Sequence, residues 1–327
     1  MAGYHHVYTH IVGYVLFVLA SGGGIYKFQI KEFCMRFLIA IKDTTPESKN
    51  ILHIGVKIAN GFSADLSVIF VGKKSSAFIE GDVALARRSL AVWNIHHPGV
   101  EILKWAFESI KEFGFLSNNY TEFDPANLIE ESGRIRMVLP QSSGEKIRLL
   151  LREGDLLNEL HKETQYRDYE LAIIGNPFKK RMTHKLIQFL DTSVFIIKNI
   201  NPTWNYKILL CVDDSAATKR AIIFGAIISR QFDAPIHAIT VSKTKKFGKG
   251  YRNASRWVQK YLRMQKLPHT ISMITGRPTE VFLREASTDH IIVMGKSTGG
   301  ELKQFFKGSK PIHTAQKAKS PILLVKP

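Results

Sequence analysis

Cysteine is scarce in this chain: Cys34 and Cys211 are the only two among 327 residues. They lie far apart, and Cys211 sits inside an apolar, strand-like run. No disulfide framework and no paired-cysteine metal spacing can be built from them, which excludes a small secreted scaffold and fits a reducing compartment, the cytoplasm. Acidic residues are also few, with 28 Asp+Glu against 46 Lys+Arg and a formal charge of +18. Such a balance suits a partner carrying phosphate, and equally a basic soluble protein. No apolar run reaches the roughly 20 residues of a membrane-spanning helix. The nearest, IVGYVLFVLA at residues 11–20, stops after ten. Catalytic groupings are absent too. The twelve histidines include the adjacent pairs His5–His6 and His96–His97, which cannot both point one way, and no metal-ligand spacing or Ser/His/Asp order stands out.

What is present is enough apolar residue, 45% of the chain, to bury two ordinary cores. Residues 1–34 stand apart from the rest. Residues 11–20 have the apolar character of a signal-peptide core with a small-residue site at Ala20-Ser21-Gly22, although no Lys or Arg precedes them. They also read as a strand feeding a Gly-rich loop at residues 21–24. The third reading takes Met35 as the true start, because a regular pattern begins directly after it, and this reading is preferred.

From Met35 one pattern is written twice. Strand, polar turn, amphipathic helix, turn and strand occupy residues 37–71, with strands at 37–41 and 66–71. The same order starts again at Tyr206 and reaches its second strand at residues 236–241. Further along, RLLLREGD (148–155) is echoed by HTISMITGRP (269–278), AIIG (172–175) by IVMG (292–295), and SVFIIK (from Ser193) by SPILLVK (from Ser320). Strands alternating with helices predict a parallel sheet covered on both faces, and the repetition predicts an internal duplication. The expected division is an apolar extension at 1–34, a first domain at 35–198, a linker at 199–205 and a second domain at 206–327. The first copy carries additional sequence at about 73–144. Within it residues 99–114 show helical periodicity, and the whole reads as a surface excursion more readily than as a lid.

The stretch at residues 291–309, IIVMGKSTGGELKQFFKGS, ends an apolar run at a Gly-rich loop. Such a turn presents backbone N–H groups to an anion, and it is also how any tight strand-to-helix turn is made. On these residues both copies resemble the universal stress protein domain, and together a tandem universal stress protein. That resemblance implies a five-stranded parallel α/β sheet of the adenine-nucleotide-binding, Rossmann-like type in each copy. Its nucleotide-binding members carry an acid after the first strand and a loop of the form G-x2-G-x9-G-[ST] after the fourth. Asp213 stands at the acid's position, and Gly295, Gly308 and Ser309 stand at the first glycine, third glycine and hydroxyl, with thirteen residues from Gly295 to Gly308. The middle glycine is replaced by Thr298, with Gly299 and Gly300 following. The resemblance therefore implies ATP or AMP in the second domain, held by Asp213, Val241, Gly295, Thr298, Gly299, Gly308 and Ser309, with Lys296, Lys303 and Lys307 adding charge. Asp213 also fits an Asx-turn or helix-cap role that needs no ligand.

In the first copy Lys42 stands at the acid's position, followed by Asp43, and the interval from Gly175 to Ser193 is 18 residues against 25 from Gly295 to Ser320. The first copy is therefore expected not to bind nucleotide. The resemblance implies instead that it pairs with the second through the last strands of both; a dimer is compatible with it, and no protein partner is identified. A ligand-free interaction scaffold of the same fold is the alternative function, and an ATP-hydrolysing enzyme a more distant one. Arg252, Arg256, Lys260 and Arg263 form a basic stripe interleaved with Tyr251, Trp257 and Tyr261. This is read as a solvated helix face anchored to the sheet by Trp257, Val258 and Tyr261, in preference to a nucleic-acid surface.

Overall fold

Apolar strands that alternate with amphipathic helices can bury both sheet faces only if the helices cross over between parallel strands. The chain builds that arrangement. The structure is a computed structural model that describes residues 10–11, 14–15, 35–73, 98–118, 122–131, 133–140, 144–175, 185–187, 189–198, 206–295 and 320–327. Of the apolar run at 11–20, residues 12–13 and 16–20 lie outside the described residues.

In chain order the elements are β1 (Arg36–Ile41), α1 (Pro46–Gly61), β2 (Asp65–Gly72), α2 (Pro98–Glu112), β3 (Ile129–Glu131), β4 (Arg134–Pro140), β5 (Lys146–Glu153), α3 (Leu156–Tyr166), β6 (Leu171–Gly175) and β7 (Ser193–Ile197). They continue as β8 (Lys207–Cys211), α4 (Ala216–Phe232), β9 (Ile236–Ser242), α5 (Lys249–Met264), β10 (His269–Thr275), α6 (Pro278–Ala286), β11 (His290–Gly295) and β12 (Ile322–Val325). These twelve strands form one sheet in the order β10-β9-β8-β11-β12-β7-β6-β1-β2-β5-β4-β3, and a separate antiparallel pair joins His10–Ile11 to Tyr14–Val15. Two parallel sets of five, β8–β12 and β1, β2, β5–β7, are mirror images in strand order. They meet where β12 runs antiparallel to β7, with Leu323 opposite Phe195. The antiparallel ribbon β4–β3 extends the first set beyond β5.

The repeated sequence makes repeated backbone. Gly154 (φ +146°) and Gly276 (φ +155°) end the third strand of their sets, and each amide donates 2.9 Å back to the second strand, to Gly72 O and Ser242 O. Only glycine adopts that φ without strain. One cluster of buried side chains joins α1, α2, α4 and α5 to one face of the sheet, and a second joins α3 and α6 to the other. Phe62, just after α1, packs against Phe224 of α4 with ring centroids 4.8 Å apart, and Arg220 of α4 pairs with Glu170, so the two sets also meet through helices.

The helix expected at 99–114 is present as α2, but it is no surface excursion. Leu103, Ala106, Phe107 and Ile110 are fully buried against α1, β2 and β5. It leads from the second strand of its set towards the third, as α5 does between β9 and β10. Thus α2 belongs to the repeated pattern, and among the described residues the β3–β4 ribbon is what the first set adds.

Candidate functional site

In the second set β8 lies between β9 and β11. The chain leaves β8 on one side and returns on the other, which opens a crevice outside the carboxyl ends of these strands. Three of the seven sequence-predicted residues come together there. Cys211 is level with Ile239 of β9 and Met294 of β11, which puts Asp213 level with Val241 and Val212 level with Gly295. Val241 is buried. Thr298, Gly299, Gly308 and Ser309 lie outside the described residues, as do Lys296, Lys303 and Lys307.

The Asp213 carboxylate is held by local donors. Its Oδ1 accepts from the Ser215 amide at 3.0 Å, the Ser215 hydroxyl at 2.6 Å and the Thr218 hydroxyl. Ser215 is the N-cap of α4, yet its hydroxyl is spent on Asp213 and makes no cap hydrogen bond to the helix. The first turn of α4 therefore keeps its N–H groups without a side-chain cap, at the positive end of the helix dipole. Gly295 lies directly against this turn. A Cβ at position 295 would fall 2.6 Å from the Ala217 carbonyl carbon and 2.8 Å from the Thr218 nitrogen. Glycine is what lets β11 approach the helix N-terminus so closely. The arrangement offers amides and a dipole to an anion, with a carboxylate at the side.

The first set repeats the acid but not its surroundings. Asp43 Oδ1 accepts from the Thr45 amide at 3.2 Å, the Thr45 hydroxyl at 2.6 Å and the Ser48 hydroxyl. Burial raises the Asp43 pKa, but the hydrogen bonds from Ser48 and Thr45, with Lys42 nearby, outweigh it and hold the carboxyl below its ordinary value. Strand register makes Lys42 the counterpart of Asp213, so the turn after β1 is one residue longer, and Asp43 takes the local hydrogen bonds that Asp213 takes in the second set. The added Lys42 lies 3.9 Å from Asp43 Oδ2 and 3.7 Å from Glu47 Oε2, across the entrance to α1. Here Thr45 does cap its helix, accepting from the Ser48 amide. At Gly175 a Cβ would meet only the Ile51 Cδ1 tip, at 2.5 Å, whereas at Gly295 it meets backbone.

Asp214 was not singled out by sequence. Its Oδ2 would be 2.4 Å from a Cβ at Gly250, so its carboxylate lies over the first turn of α5, which has no acidic residue and no side-chain cap of its own. Gly250 is far along the chain, and no local pattern announces that contact. Elsewhere, an open cleft of ≈ 420 Å³ is lined by Glu153, Gly154, Asp155, Asn158, Glu159, His161 and Lys162, where three carboxylates face one lysine. Such a lining disfavours phosphate. Among the described residues no group of three or more His, Cys, Asp or Glu side chains is placed to hold a metal ion, and no helix is long and apolar enough to cross a membrane.

The basic stripe departs from expectation in one respect. Arg252, Arg256, Lys260 and Arg263 are exposed along α5, as predicted. The helix is anchored by Val258 and Leu262, both fully buried, and by Ser255. Trp257 is not an anchor: it is 37% exposed, and it stacks on Tyr261 with ring centroids 5.3 Å apart and 7° between planes. At 100° per residue Trp257 falls on the flank of the buried stripe, so the sheet covers only part of the ring.

No family model and no curated protein sequence matches the chain. Solved structures do. The chain is similar to a universal stress protein from Archaeoglobus fulgidus DSM 4304, at TM-score 0.54 and 14% identity, over 88% of this chain and 96% of that one. It is similar to the same degree, TM-score 0.54 at 16% identity, to a protein from Pseudomonas aeruginosa UCBPP-PA14 that carries the same family name, over 90% of this chain and 94% of that one. A protein of unknown function from Pseudomonas aeruginosa PAO1 follows at TM-score 0.52 and 16% identity, over 90% and 93% of the two chains. At these identities the likeness is one of fold, and over most of its length this chain has the fold of the universal stress proteins.

Proposed function

We propose that this chain is a tandem universal stress protein, a regulatory module of the cytoplasm whose second domain, residues 206–327, binds an adenine nucleotide, ATP or AMP. The observation that carries the reading is the convergence of Asp213, Val241 and Gly295 on the α4 N-terminus at the carboxyl edge of neighbouring strands. Anions favour such a place, because unsatisfied amides and the helix dipole act together. Gly308 and Ser309, at the family's spacing from Gly295, would complete the phosphate loop, with Thr298 and Gly299 at its bend. The first domain, residues 35–198, is ligand-free in this proposal. Lys42 with its acidic neighbours and the capped α1 stand where the second domain keeps its helix entrance without a side-chain cap. Its task is to pair with the second domain through β7 and β12.

A second reading has its own support. Asp213 is committed to three local donors, which is a structural role sufficient to itself. On that reading the duplicated fold is a ligand-free scaffold for a protein partner. Isothermal titration of ATP and of AMP into the chain separates the two. Saturable heat, lost in Gly308→Ala and in Asp213→Ala but kept in Asp43→Ala, supports the nucleotide site. Absence of heat, with no nucleotide retained through gentle purification, leaves the scaffold.

A further inference from the structure

The exposed face of α5 has a chemistry that the nucleotide reading does not use. Residues 234–279 contain ten Lys and Arg and no Asp or Glu. Within that stretch Arg252, Arg256, Lys260 and Arg263 are exposed on one side of α5, and none of the four is in an ion pair among the described residues. Their spacings of four, four and three residues place the charges roughly 5–6 Å apart along the helix axis. That is a line of cations and not a cluster. Beside it runs a ledge made by the stacked Trp257 and Tyr261 and by Met264, which is 69% exposed. Arg230, near the end of α4, reaches the C-terminal end of α5, where its Nη2 donates to Gln265 Oε1 at 2.8 Å.

We propose that this face binds single-stranded nucleic acid, with backbone phosphates along the Arg252–Arg263 stripe and bases stacking on the Trp257 ledge. A basic track beside an exposed aromatic plane is what a single strand requires: charge for the backbone and a flat surface for bases of any sequence. Duplex recognition would leave the aromatic ledge unused. An anionic membrane surface would also attract the cations, but an interfacial helix buries its apolar face in lipid. In α5 that face, Val258 and Leu262, is spent on the sheet. The charge and the stacked pair together therefore favour nucleic acid.

The test is fluorescence anisotropy of a labelled short oligo(dT) with the full chain, repeated from about 50 to about 200 mM salt. An equal-length duplex and phosphatidylserine vesicles serve as competitors. Oligo(dT) should bind, and should be displaced less well by duplex or vesicles than by unlabelled oligo(dT). Replacing Arg252, Arg256, Lys260 and Arg263 together by Ala should flatten the log–log salt dependence by about 3, at about 0.7 per phosphate contact. Trp257→Ala should weaken binding about tenfold on any sequence while leaving the salt slope unchanged. The four cations are exposed, so the melt of the four-cation variant should match the parent; Trp257 is partly covered, and Trp257→Phe, which keeps an aromatic plane, should retain binding and separate stacking from folding. The proposal is overturned by absence of binding at low salt, by an unchanged slope in the four-cation variant, or by Trp257→Ala without effect. Vesicles that outcompete oligo(dT) would assign the face to membrane instead.

Discussion

Phe195 of β7 and Leu323 of β12 hold equivalent positions in the two strand sets and lie directly opposite each other. Each is fully buried and belongs to the same core cluster. The pseudo-symmetry of the duplication thus passes between two side chains that pack on each other's strand, and the sheet runs on through the junction. Unfolding should follow this continuity. Leu323→Ala should destabilise by about 2–5 kcal/mol and Phe195→Ala by about 3–5 kcal/mol. The double variant should lose less than the sum, because the two share one cavity. Urea titrations followed by far-ultraviolet dichroism and tryptophan fluorescence should coincide in one transition. Additive losses, or a parent protein with two separated transitions, would show two independent cores.

Asp43 and Asp213 each accept from an amide and a hydroxyl two residues on and from a hydroxyl five residues on. Replacing either by Ala should therefore destabilise to a similar degree, about 0.5–2 kcal/mol, the range of a lost helix cap. Only Asp213→Ala should change nucleotide binding. Acid titration adds a sign. The folded-state pKa of Asp43 is lowered from about 3.8, so the stability it contributes is present above that value and is lost as pH falls through it towards the folded value. Asp43→Ala should flatten the acid limb of the stability curve in that window. An acid limb as steep as the parent's would remove Asp43 from the account.

Much of this was legible in the sequence, because the information is local. Strand period, the D-x-[ST]-x-x-[ST] spacing at residues 43–48 and 213–218, and the paired Gly154 and Gly276 all express backbone demands within a few residues. What was not legible depends on distance along the chain. The place of α2 in the repeat is obscured by the 25 residues between β2 and α2, where the second set uses six between β9 and α5. The exposure of Trp257 depends on how far the sheet edge reaches around α5, which periodicity does not encode. Asp214 meets Gly250 only because two strand-to-helix turns converge. At the candidate site, Asp213, Val241 and Gly295 could be placed from register, while Thr298, Gly299, Gly308 and Ser309 lie outside the described residues.

Gly295→Ala tests the close approach at the α4 N-terminus. The added methyl would fall 2.6 Å from the Ala217 carbonyl carbon, which is backbone and cannot rotate away. Relief requires β11 or the first turn of α4 to shift, so stability should fall by about 1–3 kcal/mol, the scale of overpacking. Nucleotide affinity should fall with it, since the same turn supplies the amides. Gly175→Ala should be milder, because the side-chain tip of Ile51 can move. Equal losses at the two positions in thermal melts would refute the distinction.

Glu163 of α3 is fully buried between two arginines, 2.6 Å from Arg134 Nη1 and 2.7 Å from Arg152 Nη2, and its Oε1 also accepts from the Tyr169 hydroxyl at 3.0 Å. Burial, and then the Glu163 charge, push the Tyr169 pKa well up, so that hydroxyl stays protonated and remains a donor. One carboxylate thus makes the short contacts to two buried guanidinium groups, and the β4 strand that the first set adds is tied to α3 through it. Removing it leaves Arg134 with Glu131 at 3.5 Å and Arg152 with Glu159 at 3.4 Å as their remaining, longer ion pairs. Glu163→Ala should destabilise by about 3–5 kcal/mol, the range for one lost partner of a buried pair. Arg277→Ala, which breaks the exposed Arg277–Glu280 pair at 80% and 67% side-chain exposure, should change stability by at most about 1 kcal/mol. Replacing Arg134, Arg152 and Glu163 together by apolar residues of similar volume should recover most of the loss, because desolvation of the three charges is then no longer incurred. Chemical denaturation of the three variants decides the matter, and a Glu163→Ala loss no larger than that of Arg277→Ala would show that Glu131 and Glu159 already compensate the two arginines.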